Sequence, residues 1–220
     1  MYRYEALADK IIAEAVRENQ KVIGITGISC IGKSTFTNLI KKKAGTEYSV
    51  EVINVDSYLK VQYRGGTKFW DKSEPYLKPE HFDWEELARD IRKLQNGQTV
   101  ERQGYVRGIG WENPVIYHPA HFYLVEGLFL DSLQAQIYMG YNKLIKLVAS
   151  ETFIYTLRMA RDDYYRKNFK DFKRTKEETV KEIESTIQAE KAYEIARWGN
   201  SYLKISVHDG FWLEIEKEEM

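Results

Sequence analysis

Only one cysteine, Cys30, stands in the 220 residues. That excludes an internal disulfide framework and fits a reducing compartment. Histidine is nearly as scarce: His81, His118, His121 and His208 share no metal-ligand spacing and read as core or surface residues. An excess of charge of either sign is also missing. The 33 Lys and Arg balance the 33 Asp and Glu, which removes the global electrostatic case for nucleic acid or an anionic membrane as partner. No apolar run reaches the roughly 18 residues of a membrane span. Charges run through Met1–Asn19 where a secretory leader would carry an apolar stretch. With no repeat, low-complexity tract or Pro/Ser-rich linker, the expectation is one cytoplasmic globular domain over residues 1–220. A homo-oligomer is compatible with all of this.

Short apolar runs alternate with helical patterns. The periodicities predict a helix over 2–19, a strand over 21–26, a helix over 33–43 and a strand over 49–55. They predict a helix over 83–94, capped by Asp83 with Glu86 three residues on. A hairpin fits within 95–114, a strand 122–126, a short helix 128–139 and a strand 144–149. An arginine-rich helix over 152–165, a long charged helix over 176–198 and a final strand over 202–207 complete the series. Strands alternating with helices imply right-handed crossovers. The fold class expected is α/β: a three-layer α/β/α sandwich with a mainly parallel central sheet covered by helices on both faces.

A P-loop is read from Gly27-Ile28-Ser29-Cys30-Ile31-Gly32-Lys33-Ser34, which satisfies G-x-x-x-x-G-K-[ST] between a predicted buried strand and a predicted helix. Gly27 and Gly32 permit backbone conformations and close approach that a Cβ would obstruct. The exposed amides can then cradle phosphate oxygens at a helix N-terminus. Lys33 would place its ammonium on the β/γ-phosphates, and the Ser34 hydroxyl would ligate magnesium. Cys30 reads as a small filler in the loop.

A P-loop serves kinases, GTPases and motor ATPases alike. Asn142-Lys143-Leu144-Ile145 lacks the aspartate of a guanine signature, and there is no Leu-Ser-Gly-Gly-Gln run. Two strand ends carry carboxylates where ligands gather in an open α/β sheet. Asp56 could orient an acceptor hydroxyl and take its proton. Glu126 stands where a second magnesium ligand is expected. Arg158 and Arg161 share a helix face, with Arg166 beyond, and could form a cationic lid over a triphosphate.

With these pieces the chain resembles the phosphoribulokinase/uridine kinase family of P-loop kinases. The matching runs are Gly24 through Thr35, Asp56-Ser57-Tyr58, Lys78-Pro79-Glu80-His81-Phe82-Asp83, Tyr117-His118-Pro119-Ala120 leading to Val125-Glu126-Gly127, and Arg158 through Arg166. The resemblance covers about residues 20–207. It implies ATP and magnesium, with residues 27–35 and Arg158 on the nucleotide and Ser34 and Glu126 on the metal. Asp56 would be the base, and Lys33, Arg161 and Arg166 would assist transfer. It also implies a lid near 158–175. The uridine kinases carry an Asn-Phe-Asp whose aspartate holds the ribose, and here the aligned run is Pro75-Tyr76-Leu77. Of their Pro-x-Tyr-Asp-Phe segment only Tyr105 is left, and Asn168 replaces a final lid arginine.

The donor is therefore better specified than the acceptor. The acceptor insertion is expected at about 58–83 and 98–114, with Tyr58, Tyr105 and Arg107 as candidate contacts. A nucleoside, a sugar or a vitamin precursor would suit it. Two rival readings are an ATPase or switch module acting on a protein partner, and a P-loop protein that binds nucleotide for structure alone.

Overall fold

The computed structural model describes residues 2–60, 63, 77–106, 110–170, 172, 174–193, 202–208 and 212–219. Part of the expected acceptor insertion, including Arg107, and the last residues of the helix expected to reach 198 lie outside them.

Nine strands and six α-helices run in the order β1 Tyr2–Arg3, α1 Tyr4–Arg17, β2 Val22–Gly27, α2 Lys33–Ala44, β3 Val50–Asn54, α3 Trp84–Gln95, β4 Val100–Val106, β5 Gly110–Tyr117, β6 Phe122–Gly127, α4 Leu133–Tyr138, β7 Lys143–Val148, α5 Glu151–Asn168, α6 Lys176–Tyr193, β8 Tyr202–His208 and β9 Trp212–Glu219 among the described residues. Seven strands form one sheet in the order β1-β9-β8-β7-β2-β6-β3. The five from β8 to β3 are parallel, and β9 turns back antiparallel on β8. Strands β4 and β5 form a separate antiparallel hairpin. The mainly parallel α/β architecture is thus as expected. Two strands were not anticipated: β1, only two residues long, and β9, whose Leu213 and Ile215 alternate with charged neighbours.

Strands β2 and β6 are buried along their whole lengths, as inner strands covered on both faces must be. On one face Ile23, Ile25, Leu124, Ile145 and Leu147 pack with Leu7 and Ile11 of α1, Phe36 and Ile40 of α2, and Ile183 of α6. On the other, Tyr123, Val125 and Leu144 pack with Leu87 and Ile91 of α3 and Ala135 of α4. Helix α3 shows why the local sequence suffices: Asp83 accepts from the Glu86 amide at 2.9 Å, and Trp84, Leu87, Ala88, Ile91 and Leu94 place one stripe inward. Among the described residues no helix is long and apolar enough to cross a membrane.

Candidate active site

The carboxyl ends of β2, β3 and β6 meet at one cavity of about 260 Å³. Ser29, Cys30, Lys33, Ser34, Asn54, Asp56, Glu126, Gly127, Leu128, Arg161 and Tyr165 line it.

The loop between β2 and α2 forms its floor. Gly27 has φ +138° and a Cβ on it would collide with the Leu147 carbonyl oxygen; Gly32 precedes α2 at φ +99°. Both conformations belong to glycine. Cys30 holds φ +74° without that freedom, a strained setting of the kind found at ligand sites. Ile28 and Ile31 turn their side chains into the core. The Lys33 ammonium donates to the Gly27 and Ile28 carbonyls at 2.6 and 3.0 Å, folded across the loop's own concavity. The side chain of Thr35 is exposed beside the loop.

Ser34 Oγ lies 2.9 and 3.0 Å from the two oxygens of Glu126 and donates to that carboxylate. Glu126 is 6% exposed. Burial pushes its pKa up; the Lys33 charge and the Ser34 hydrogen bond pull down, and the Asp56 charge pushes up again. A fold that raises a carboxyl's pKa favours the protonated form. Its contribution to stability is complete below the ordinary value of 4.5 and is lost as pH rises through the raised one. Glu126→Gln mimics the protonated group. It is expected to raise the melting temperature of the nucleotide-free protein at pH 7 by about 3 °C, and the gain should vanish in scans below pH 4.5. A gain that is constant with pH would contradict the burial argument.

Asp56 projects from a 3-10 turn, Val55–Tyr58, that follows β3; its amide donates to Asn54 Oδ1 at 2.8 Å. Tyr58, two residues on, is fully buried, and its hydroxyl donates to Asp90 at 3.3 Å. It belongs to the core instead of the acceptor surface expected for it. The Tyr105 side chain is not described.

The three arginines separate. Arg161 lines the cavity, its NH1 donating to Ser29 Oγ at 3.1 Å and its Nε and NH2 to Asp162 Oδ1 at 3.0 and 2.8 Å. Arg158 is fully buried against Glu182 of α6 at 2.6 Å. Arg166 donates to the Arg174 carbonyl, Thr179 and Asp163. Neither of the last two lines the cavity. Asn54, Leu128 and Tyr165 do, unanticipated. Asn54 and Leu128 flank the two strand-end carboxylates closely enough to have been suspected, and Tyr165 lies one helical turn beyond Arg161.

A hydroxyl, a buried carboxylate and an ammonium at a glycine-bounded loop that opens a helix suit a polyphosphate with a hard divalent cation. A second carboxylate lines the same cavity. A sequence model of the phosphoribulokinase/uridine kinase family matches residues 22–192. A uridine kinase of Macrococcus caseolyticus (strain JCSC5402) is 34% identical over 111 residues, 49% of this chain and 52% of that protein. One of Staphylococcus haemolyticus (strain JCSC1435) is 30% identical over 131 residues, 55% and 62% respectively. The chain thus spans between about half and three fifths of the length of these curated relatives. D-glycerate 3-kinase from Cryptococcus neoformans var. grubii serotype A superposes with TM-score 0.69 over 98% of each chain at 10% identity, a likeness of fold. The chain belongs to the phosphoribulokinase/uridine kinase family of P-loop kinases.

Proposed function

We propose that this kinase is ATP- and magnesium-dependent and transfers the γ-phosphoryl group to a hydroxyl of a small molecule: a nucleoside, a sugar or a vitamin precursor. The observation that carries the reading is the convergence of Lys33, Ser34, Glu126 and Asp56 on one cavity at the carboxyl ends of three strands.

The loop amides and Lys33 hold the β- and γ-phosphates. The paired oxygens of Ser34 and Glu126 are a hard donor set and fit magnesium, with Ser34 as ligand and Glu126 beside it. Bound there, the ion would offset phosphate charge. Asp56 accepts the proton of the acceptor hydroxyl. That oxygen bonds to the γ-phosphorus as the bond to the ADP oxygen breaks. Arg161 adds positive charge beside Ser29, where the phosphates would rest. This transition state is loose, so placement and charge outweigh base strength. We assign residues of about 158–175 as the lid, and those of about 58–83 and 98–114, with Tyr105 and Arg107, as the acceptor side. All would lie in a single domain.

A coupled ADP-release screen with Mg-ATP against nucleosides, sugars and vitamin precursors tests the reading. Acceptor-dependent release is expected. ADP release that no acceptor accelerates would favour a switch or ATPase module instead. Binding of ATP with no release at all would favour a structural nucleotide site.

A further inference from the structure

Tyr58 closes the same four-residue turn that carries Asp56, and it leads into a charge cluster that lies outside the cavity. Its hydroxyl donates to Asp90 Oδ2 at 3.3 Å, and Asp90 is fully buried in α3. Arg102, from β4, donates through Nε to the same oxygen at 2.5 Å and through NH1 to Glu86 at 2.6 Å, with NH2 also on Asp90. Lys93 donates to the other Asp90 oxygen at 3.1 Å. The Arg102 guanidinium stands 5.3 Å from the centre of the Tyr58 ring. From the second strand of the hairpin, Tyr117 reaches Ser57 Oγ at 3.5 Å. Both strands of the hairpin therefore hold the two residues that follow Asp56.

A buried ion pair is a poor source of stability. Removing the charges from water costs about what their attraction returns, and apolar replacements of similar volume are often as stable. What such a pair does supply is geometry: a guanidinium fork bonds a carboxylate in few orientations. Here that geometry joins three elements, namely α3, β4 and the Asp56 turn. On the other side of the turn, Asn54 Oδ1 accepts from the Asp56 amide.

We infer that Asp90 and Arg102 are a positioning pair for Asp56, fixing the turn that carries it through Tyr58 and tying that turn to the hairpin. The inference rests on the reading of Asp56 as the base. The pair touches no reacting atom, and it acts on the acceptor half of the site. The phosphate loop, between β2 and α2, shares no side chain of the cluster.

The test is the double variant Asp90→Leu/Arg102→Met, with Tyr58→Phe beside it. The double change leaves net charge unaltered, and Glu86 and Lys93 keep partly exposed side chains, 28% and 46% accessible. Its melting temperature should stay within about 4 °C of wild type. Hydrogen exchange in the ligand-free full chain should speed up at the amides of Asp56 and Leu59 by about tenfold, with amides of residues 27–34 unchanged; Tyr58→Phe should do the same more weakly. Affinity for Mg-ADP by calorimetry should hold within about twofold. With an acceptor found in the screen, kcat should fall about 30-fold, more than the KM for ATP changes. Wild-type exchange at Asp56 and Leu59 in the double variant, or wild-type kcat, would overturn the inference. If no acceptor is turned over by wild type, the kinase reading fails on its own, and the exchange result alone decides whether the pair holds the turn.

Discussion

Asp56→Asn is expected to lower acceptor-dependent turnover by about 10²–10⁴-fold, the span of general-base contributions. Nucleotide affinity should change little. The asparagine keeps the size of the side chain and can still accept a hydrogen bond, so the turn, held by Asn54 and by Tyr58, has no reason to move. What is lost is the place for the acceptor's proton. A second consequence follows from charge. The Asp56 carboxylate is one of the causes that raise the pKa of Glu126, so the variant should titrate Glu126 at lower pH. Steady-state kinetics at saturating ATP and a carboxyl titration followed by NMR read the two effects separately. Turnover within about fivefold of wild type would remove Asp56 from the role of base, in line with the loose transition state placing little demand on one.

The phosphate loop was legible because its constraints are local. Gly27 and Gly32 are needed by backbone geometry, the fully buried β2 leads into the loop, and a helical period follows. The carboxylates were legible for a similar reason: Asp56 follows the end of β3, Glu126 stands near the end of β6, and a parallel sheet brings such ends together. Tyr58 was misplaced because an aromatic beside a catalytic candidate suggests a wall of the site. A 3-10 turn rotates residues two apart by about 240°, so Asp56 and Tyr58 face different ways. Strand β9 escaped because its charges, Glu214, Glu216, Lys217, Glu218 and Glu219, leave only a short apolar alternation. Only pairing with β8 makes the alternation of Leu213 and Ile215 meaningful. Arg158 and Arg161 share a helix face, as their spacing requires. What separates them is Glu182 on α6, a partner that no local pattern reveals.

That separation gives the second large expectation. Arg161→Met should reduce kcat by about 10³-fold, the lower end of what a guanidinium on a transferring phosphoryl group supplies, whereas Arg158→Met should act on stability. The buried network contains the guanidinium groups of Arg158, Arg161 and Arg174 and the carboxylates of Asp162 and Glu182. Glu182 takes Arg158 and Arg174; Asp162 takes Arg174, Thr179 and Arg161. Among the described residues three positive charges stand against two negative, an excess of one, and Arg161 is the member at the cavity, its NH1 turned to Ser29. Phosphate charge developing there would meet that excess without first rearranging the arginine, because Asp162 already fixes it through Nε and NH2. Arg158→Met instead leaves Glu182 with one partner fewer in a buried setting, at a cost of about 3 kcal/mol, and the folded fraction should turn over near the wild-type rate. Thermal melts and kcat at saturating ATP and acceptor separate the two variants. If Arg158→Met loses as much kcat as Arg161→Met while staying folded, the charge is shared across the helix instead of delivered by Arg161. If Arg161→Met keeps kcat within about threefold, the lid contributes no charge to the transfer.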